Sequence, residues 1–193
     1  MASKHFVMPT ANAARLYPAH DEHPSDHVTV GVDPYDMADK AKIFSIPYGQ
    51  AGFMPIFVVI TNDSDQPLAI ADAKTELVTV NHSRIPPATE EDIARRLTDP
   101  RIGSSLPSPV PWPKKVKGTF SKDQEEELES SRFAARAVEP HGTQAGFMFF
   151  DVSGITAPLA GASFVMTGVR DSKGNELMYF EIPMEKYLSA PSK

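Results

Sequence analysis

The sequence predicts an all-β protein, an antiparallel β-sandwich with a short helical and proline-rich insertion. Short segments rich in β-branched and aromatic residues recur along the chain, turn residues separate them, and only the middle third departs from this pattern. With 193 residues, the chain is long enough for one substantial core. We expect an extended N-terminal arm over residues 1–26, a single sandwich domain over 27–188 with an insertion at about 85–131, and a C-terminal tail over 189–193.

Segments of the first half that combine β-branched or aromatic residues with flanking turn signals predict strands. These are His27–Val32, Ile43–Pro47, Phe53–Thr61, Leu68–Ala71 and Thr75–Val80. The strongest of them is Phe53–Thr61, because it is almost wholly apolar and the turn-forming run Asn62–Pro67 follows it directly.

The middle third predicts two helices and a proline-rich connection. Thr89 is a good N-cap for a helix that runs to Leu97, since acidic residues follow in its first turn and basic ones in its last. Ser121 begins a capping box for a second helix that ends near Ser131. Between them, residues 98–118 carry five prolines, which exclude a regular helix and favour an extended path.

The second half again predicts strands, which are Phe133–Val138, Gln144–Val152, Gly161–Val169 and Glu176–Ile182. For Phe133–Val138, its alanines leave a continuation of the preceding helix as the alternative. The last two flank a Gly-containing turn and are typical of a hairpin. The apolar run Phe147–Phe150 breaks strict alternation, so both faces of its strand need a cover. That cover is either the insertion, with the strand central in its sheet, or another subunit.

A turn and a later apolar strand carry a resemblance to a known family. The turn is Asn-Asp-Ser-Asp-Gln-Pro at residues 62–67, and the later segment reads Val-Glu-Pro-His-Gly at 138–142 and Ala-Gly-Phe-Met-Phe-Phe-Asp-Val at 145–152. This pattern resembles the telokin-like, immunoglobulin-like extracellular domains of bacterial envelope lipoproteins over about residues 53–183, with His141 where the family prefers glycine. The resemblance implies an immunoglobulin-like sandwich for adhesion, assembly or inhibition, without catalytic residues.

Composition excludes several classes of function. Nineteen basic and 25 acidic side chains give a net charge of −6, which disfavours nucleic acid and anionic membrane surfaces as partners. The absence of cysteine excludes disulfides, thiol nucleophiles and cysteine zinc sites. No segment approaches the roughly 20 apolar residues of a membrane span, and we expect none.

One polar cluster is a candidate metal site. Between residues 20 and 27, three imidazoles alternate with carboxylates, and we identify His20, Asp21, His23 and His27 as candidate ligands for a divalent transition metal. Pro24 interrupts any helix through this cluster, so the alternative is that these side chains are solvated or hydrogen-bonded structurally. No other cofactor is expected.

The proline-rich stretch is a candidate docking segment. Trp112, Lys114 and Lys115 combine an aromatic anchor with a basic tail on a pre-extended backbone, which suits binding to a protein partner. The alternative is structural, with Trp112 buried against the chain's own sheet.

The sequence carries no Gly-x-Ser-x-Gly, His-Glu-x-x-His, phosphate-binding-loop or dinucleotide motif. We therefore predict a non-enzymatic binding or assembly module with a protein partner or self-assembly through the N-terminal arm. The alternatives are a metal-binding accessory protein that uses the His20–His27 cluster and an enzyme whose site is built from scattered loop residues.

The expected location is secreted, periplasmic or cell-envelope. The opening Met-Ala-Ser is typical of an expression leader, which is compatible with a signal removed before residue 4.

Overall fold

The computed structural model describes residues 5–99 and 120–191, and within these ranges the chain is predominantly β, as predicted. Its strands are β1 (Ala19–His23), β2 (Val28–Pro34), β3 (Phe53–Asn62), β4 (Leu68–Ala69), β5 (Lys74–Val78), β6 (Arg84–Ile85), β7 (Ala137–Val138), β8 (Gly142–Asp151), β9 (Ser163–Thr167) and β10 (Phe180–Pro183). Its helices are α1 (Ala38–Ala41), α2 (Glu90–Leu97), α3 (Lys122–Ser131) and α4 (Glu185–Leu188).

The strands form antiparallel sheets. One four-stranded sheet has the order β1-β2-β3-β8, a second has the order β10-β9-β5-β6, and β4 pairs with β7. In the first sheet, Val58 of β3 lies opposite Val32 of β2 and Gly146 of β8. Side chains alternate between the two faces along each strand, and this register places those of neighbouring strands on the same face in line with one another. The predicted hairpin is confirmed, because β9 pairs with β10.

One face of the first sheet shares a core with the second sheet, which we call the inner core. Its strand residues are Ala19, Val28, Val30, Val32, Met54, Ile56, Val58, Ile60, Leu68, Leu77, Val138, Phe150, Phe164, Met166, Phe180 and Ile182. The β-branched residues of β2 and β3 predominate on the first sheet's side. Such side chains are stiff and pack well on a pleated surface, which explains why they form these strands.

The opposite face of the first sheet is covered by segments other than strands, and we call this layer the outer core. Its members are Ala14, Phe44, Ile46, Tyr48, Ala51, Phe53, Phe57, Val59, Ile93, Leu128, Phe147 and Phe149. Because both faces of the first sheet are packed, every residue of β3 is buried.

The insertion supplies part of this cover, as the apolar run in β8 led us to expect. Ile93 of α2 and Leu128 of α3 both lie in the outer core. The expectation that β8 is central in its sheet is wrong, since β8 is an edge strand. Residues at the two ends of the insertion instead occupy that edge, with the Ala88 amide donating to Phe149 O at 2.7 Å and the Phe133 amide to Phe147 O at 2.9 Å.

Glycine 146 is what lets the insertion approach β8 so closely. A Cβ atom at Gly146 would lie only 2.5 Å from Phe133 Cα and 2.7 Å from Phe133 N. Since both neighbours are backbone atoms, no side-chain rotation relieves that clash. The sequence therefore has glycine where two backbones meet.

Both helices of the insertion begin as predicted. The Asp92 amide donates to Thr89 Oγ1 at 3.1 Å, and the Gln124 amide donates to Ser121 Oγ at 3.2 Å. In each case the third helical residue bonds back to the cap backbone, which completes a capping box. Local chemistry is sufficient to position these helix starts.

The predicted arm over residues 1–26 requires correction, and with it the domain start at residue 27. Residues 19–23 form β1, which pairs with β2, and Ala14 is fully buried with its amide donating to Thr61 Oγ1 at 2.9 Å. A Cβ at Gly31 would lie 2.6 Å from Ala14 O, so the N-terminal segment crosses directly over β2. The polar composition of Ala19–His23 conceals this strand, because pairing with β2 overrides its low intrinsic propensity.

Two other predicted strands differ from the structure. Residues 43–47 form no strand, and this irregular segment instead inserts Phe44 and Ile46 into the outer core. Of the predicted strand over 133–138, only Ala137–Val138 pairs, with β4. In both cases, short apolar runs are ambiguous between strands and irregular core segments.

Candidate functional site

An apolar groove opens beside the first residues of β3, with a volume of about 590 Å³. We call it the aromatic groove. Its walls are Tyr35, Asp36, Ala38, Ala41, Lys42, Phe44, Ser45, Ile46, Pro47, Tyr48, Gly49, Gln50, Phe53, Met54, Pro55 and Val152. A concave, largely apolar surface with few polar groups is the usual form of a binding site in a protein.

The aromatic groove owes its shape to ring packing in the outer core. The Phe44 ring meets Tyr48 edge-on at 5.1 Å and 84°, and Tyr48 lies against Phe149 at 4.4 Å. Tyr35 stands at 90° to Phe147 at 4.9 Å. Edge-to-face pairs of this kind are favourable because the positive ring edge meets the negative face of the neighbour. The rings hold the segment 35–50 on the sheet although that segment contains no strand.

A buried carboxylate supports the groove from behind. Glu127 of α3 is 3% exposed. Its carboxylate accepts the Ser45 amide at 2.8 Å and the Ile46 amide at 3.1 Å, and it also accepts the Ser45 hydroxyl. These donors compensate the cost of burying the charge. Glu127 therefore fixes the groove wall to the insertion helix.

The Tyr48 hydroxyl lies in the same buried region. Burial raises the pKa of Tyr48 well above its ordinary range, and the nearby Glu127 carboxylate raises it further. Among the residues that the structure describes, no well-formed hydrogen bond reaches this hydroxyl, and the nearby Ser131 side chain only partly offsets the rise in its pKa. Tyr48 is consequently a neutral phenol whose ring shapes the groove, and its hydroxyl is the least satisfied polar atom of the outer core.

Charges at one end of the groove are already compensated by their neighbours. The Lys40 ammonium donates to Asp33 Oδ1 at 2.5 Å and to Pro34 O at 2.8 Å, and it lies 4.7 Å from the centre of the Tyr187 ring. The Tyr187 hydroxyl donates to Asp36 Oδ1 at 2.7 Å. This network ties α1 to the C-terminal helix α4, so the groove wall is anchored from two sides.

Tyr35 joins that network to the groove. Its ring centre lies 5.1 Å from the Lys40 ammonium. Burial raises the pKa of Tyr35 to about 12, with smaller contributions from Asp33 and Tyr17. The phenol is therefore neutral at physiological pH, and it offers the groove an apolar ring with a hydrogen-bonding tip.

An ion pair closes the far side of Phe53. The Arg96 guanidinium of α2 binds Asp151 with both terminal nitrogens, at 2.8 and 2.5 Å, and lies 4.7 Å from the Phe53 ring centre. Hydrogen bonding from Arg96 lowers the pKa of Asp151 to about 2, with Ser153 contributing further. The pair fixes α2 against the end of β8.

The charged side chains of the groove lining and the Ser45 hydroxyl are engaged by neighbouring residues. The described walls of the groove include no histidine, and of their two charged residues Asp36 accepts from Tyr187 while Lys42 pairs with Asp39 at 2.5 Å. The Ser45 hydroxyl donates to the Glu127 carboxylate, which also accepts the Ser45 and Ile46 amides.

Strand β1 separates the residues predicted to bind a metal. Side chains alternate along a strand, so His20 lies on the face opposite to Asp21 and His23. His20 Nδ1 lies 2.7 Å from Tyr17 O, and His27 is exposed in the following turn with φ of 56°. Within residues 5–99 and 120–191, no group of three or more ligand side chains is placed to hold a metal ion. The structure therefore does not support the His20, Asp21, His23 and His27 site.

His23 has a structural role instead. Its ring stacks on Phe180 of β10 at 3.9 Å and 11°, and its Nε2 lies 3.4 Å from Asp21 Oδ2. Asp21 also accepts the backbone amide of Glu181 at 3.0 Å. These contacts join the edge of the first sheet to the edge of the second.

The predicted partner-binding residues Trp112, Lys114 and Lys115 lie outside the residues that the structure describes. The aromatic groove, by contrast, escaped the sequence analysis. The only sign of the groove in the sequence is the density of aromatic residues between positions 35 and 53. The sequence pattern predicts a strand over part of that region, residues 43–47.

Comparisons with known proteins assign no family. No model of a known protein family matches the sequence, and no curated protein matches it. Among solved structures, the chain is similar to a conserved hypothetical protein from Bacillus anthracis, with 11% identity over 85% of this chain and 91% of that chain and a TM-score of 0.35. Similarity at that level assigns neither a fold family nor an activity.

The helices in the described part of the chain are short or polar. None of them is long and apolar enough to cross a membrane.

Proposed function

We propose that the protein is a non-enzymatic binding module with an immunoglobulin-like β-sandwich fold, and that the aromatic groove binds an apolar segment of a partner protein. The observation that carries the proposal is the pairing of the charges around the groove, which leaves the half-buried Tyr35 ring and the exposed apolar atoms of Ala38 and Pro47 as its available contacts. Rigid aromatic surfaces dominate the energetics of protein interfaces. A site in the bacterial cell envelope or secreted space belongs to the same proposal and rests on the resemblance of residues 53–183.

The size of the groove fits a short segment. A volume of about 590 Å³ falls within the usual range for ligand pockets, roughly 300–1,000 Å³. The groove therefore has room for two or three side chains of a peptide.

The experiment is selection of peptides from a random phage-displayed library against the protein, followed by fluorescence polarisation with the enriched peptides. Ala38 is exposed and lines the groove, so Ala38→Trp obstructs it without disturbing a core. We expect enriched peptides to be rich in apolar residues and to bind Ala38→Trp at least about tenfold more weakly.

The matched control is Ala160→Trp, which places the same ring at an exposed position outside the groove lining. Affinity should be unchanged there. Peptides that bind both variants and the parent equally well would remove the groove from the proposal, and failure of the library to enrich any peptide would contradict it.

Self-assembly through the N-terminal segment is the second form of the proposal. The Phe6 ring stacks on Phe44 at 5.5 Å and meets Phe147 edge-on at 6.2 Å. Because this segment docks on a fixed surface of its own chain, exchange between two copies would preserve each contact. Native mass measurement over a concentration series tests it. A monomer at all concentrations, unchanged on deletion of residues 1–12, contradicts self-assembly through this segment.

A further inference from the structure

A second cavity, of about 250 Å³, opens beside β5 and β8, where the insertion leaves and rejoins the sheets. We call it the inter-sheet cavity. Pro87 and Ala88 line it on the side where the insertion begins, and Arg132 and Phe133 line it where the insertion ends. It shares no lining residue with the aromatic groove.

The wall of this cavity combines polar and apolar atoms. Ile60 and Met166 of the inner core, Met148 of β8 and Phe133 supply apolar side chains. A wall of this kind suits a ligand with both an apolar part, which gains dispersion contacts, and a polar part, which forms hydrogen bonds.

One buried hydroxyl in the wall lacks a good acceptor. Thr75 is 7% exposed, and its hydroxyl donates to the Met148 thioether sulfur at 3.2 Å. A thioether is a weak acceptor, so a carbonyl or carboxylate oxygen in the cavity would form a stronger hydrogen bond. The wall therefore favours a ligand that carries an acceptor.

The charge at the rim agrees with that preference. Among the described residues lining the cavity, Arg132 is the sole charged one. Glu90 of α2, which is not part of the lining, forms an ion pair with Arg132 through one nitrogen. A guanidinium has five donors, so the ion pair with Glu90 does not use all of them.

We propose that the inter-sheet cavity binds a small aromatic or branched-chain carboxylate, with its apolar part between the sheets and its carboxylate at Arg132. Size sets the upper limit of the ligand. A cavity of about 150 Å³ accommodates benzene, so the volume of about 250 Å³ found here suits roughly ten non-hydrogen atoms.

The test compares three probes of one shape by isothermal titration calorimetry, namely phenylacetate, phenethyl alcohol and phenethylammonium. Phenylacetate should bind with a Kd below about 1 mM. The alcohol should bind more weakly, and the ammonium should bind at least about tenfold more weakly than the carboxylate, because Arg132 repels it.

Variants then separate the rim from the interior. Arg132→Gln should weaken phenylacetate about tenfold and leave phenethyl alcohol unchanged. Glu90→Gln is the matched control, since it removes the competing carboxylate without touching the lining, and it should leave phenylacetate binding unchanged or tighter. Ala135→Leu fills the cavity and should abolish binding of both probes, and Ala73→Leu serves the same purpose if the first filler unfolds the protein.

Equal affinity for the three probes would overturn the assignment of an anionic ligand. Absence of saturable phenylacetate binding to the folded protein, or unchanged binding in a folded filler variant, would overturn the cavity itself. Ala38→Trp should leave phenylacetate binding intact, so failure of the groove proposal and failure of this one are distinguishable.

Discussion

The two cores of this protein differ in chemistry although they share one sheet. In the inner core, where strands face strands, three of the 21 buried apolar residues that the structure describes are aromatic, namely Phe150, Phe164 and Phe180. In the outer core, where irregular segments and helices cover the sheet, six of twelve are Phe or Tyr. The aromatic groove lies in the second region.

The difference follows from the regularity of the covering layer. Strands present side chains at fixed intervals, so branched aliphatic residues of two sheets can interdigitate. Irregular segments present their side chains at uneven intervals, and large flat rings fill the uneven gaps between these segments and the sheet. Flat rings also leave clefts at their edges, and this explains why the groove lies in the outer core, the less regular of the two.

The largest expected effect compares one ring from each core. Phe147 of the outer core and Phe164 of the inner core are both at most 1% exposed. Each substitution to alanine should lower the free energy of unfolding by about 3–5 kcal/mol in urea titrations. Amide hydrogen exchange should separate them, because Phe147→Ala releases α2 and α3 first, whereas Phe164→Ala lowers protection throughout the sheets.

Phe147→Leu is the control, since it retains most of the buried volume and should cost less than either alanine variant. If Phe147→Ala exposes β9 and β10 as readily as α2 and α3, the two cores form one cooperative unit and the comparison between them fails.

A smaller effect is expected where the insertion meets the edge of β8. Gly146→Ala forces Phe133 away from the strand and should destabilise the protein by about 1–3 kcal/mol, as overpacking does. Gly49→Ala is the matched control, because a Cβ there meets nothing within 4 Å. If both variants unfold at the same temperature as the parent, the space between Gly146 and the Phe133 backbone is large enough for a Cβ atom, which contradicts the close approach.

The helix caps of the insertion contribute less again. Thr89→Ala removes the acceptor for the Asp92 amide and should cost about 1 kcal/mol. Thr89→Ser keeps that oxygen and should restore most of the loss in the same urea titration. Equal destabilisation by alanine and serine would mean that the methyl group of Thr89, rather than its hydroxyl, stabilises α2.

The smallest effect concerns the Arg96–Asp151 pair and depends on pH. The pKa of Asp151 lies at about 2, below its ordinary value of 3.8, so the folded state favours the carboxylate. The contribution is therefore complete above pH 4 and is lost as the pH falls through 2. Because Asp151 is more than one-third exposed, Asp151→Asn should cost only about 1 kcal/mol at neutral pH, and the cost should vanish near pH 2.

The comparison variant is Asp39→Asn, which removes an exposed ion pair with Lys42 and should change stability little at any pH. Urea titrations over a pH series measure both. A cost for Asp151→Asn that is the same at acidic and neutral pH would show that the carboxylate charge is not what holds α2.

Much of the fold was predictable because the signals are local. Alternating β-branched residues predict β2, an almost wholly apolar run followed by a turn predicts β3, and the capping boxes at Thr89 and Ser121 predict both insertion helices. The strand β1 was not predictable in this way, because its polar sequence becomes a strand only by pairing with β2. Periodicity also gave no reason for Phe44 and Ile46 to lie buried in an irregular segment.

The candidate site was the least predictable part. The aromatic groove depends on β3, the segment 35–50 and the buried Glu127 of α3, which meet only after folding. An acidic run such as that of α3 is typical of a solvated helix face, yet one carboxylate within it, that of Glu127, is buried. Local sequence does not distinguish that glutamate from its neighbours, since the distinction lies in the amides of Ser45 and Ile46 far along the chain.

The backbone contacts of Ala88 and Phe133 with β8 also bear on behaviour in concentrated solution. A long apolar edge strand with free amides and carbonyls is a template on which further copies can stack into fibrils. Here both ends of the insertion already occupy that border at Phe149 and Phe147. The insertion therefore protects the protein from aggregation, whatever else it does.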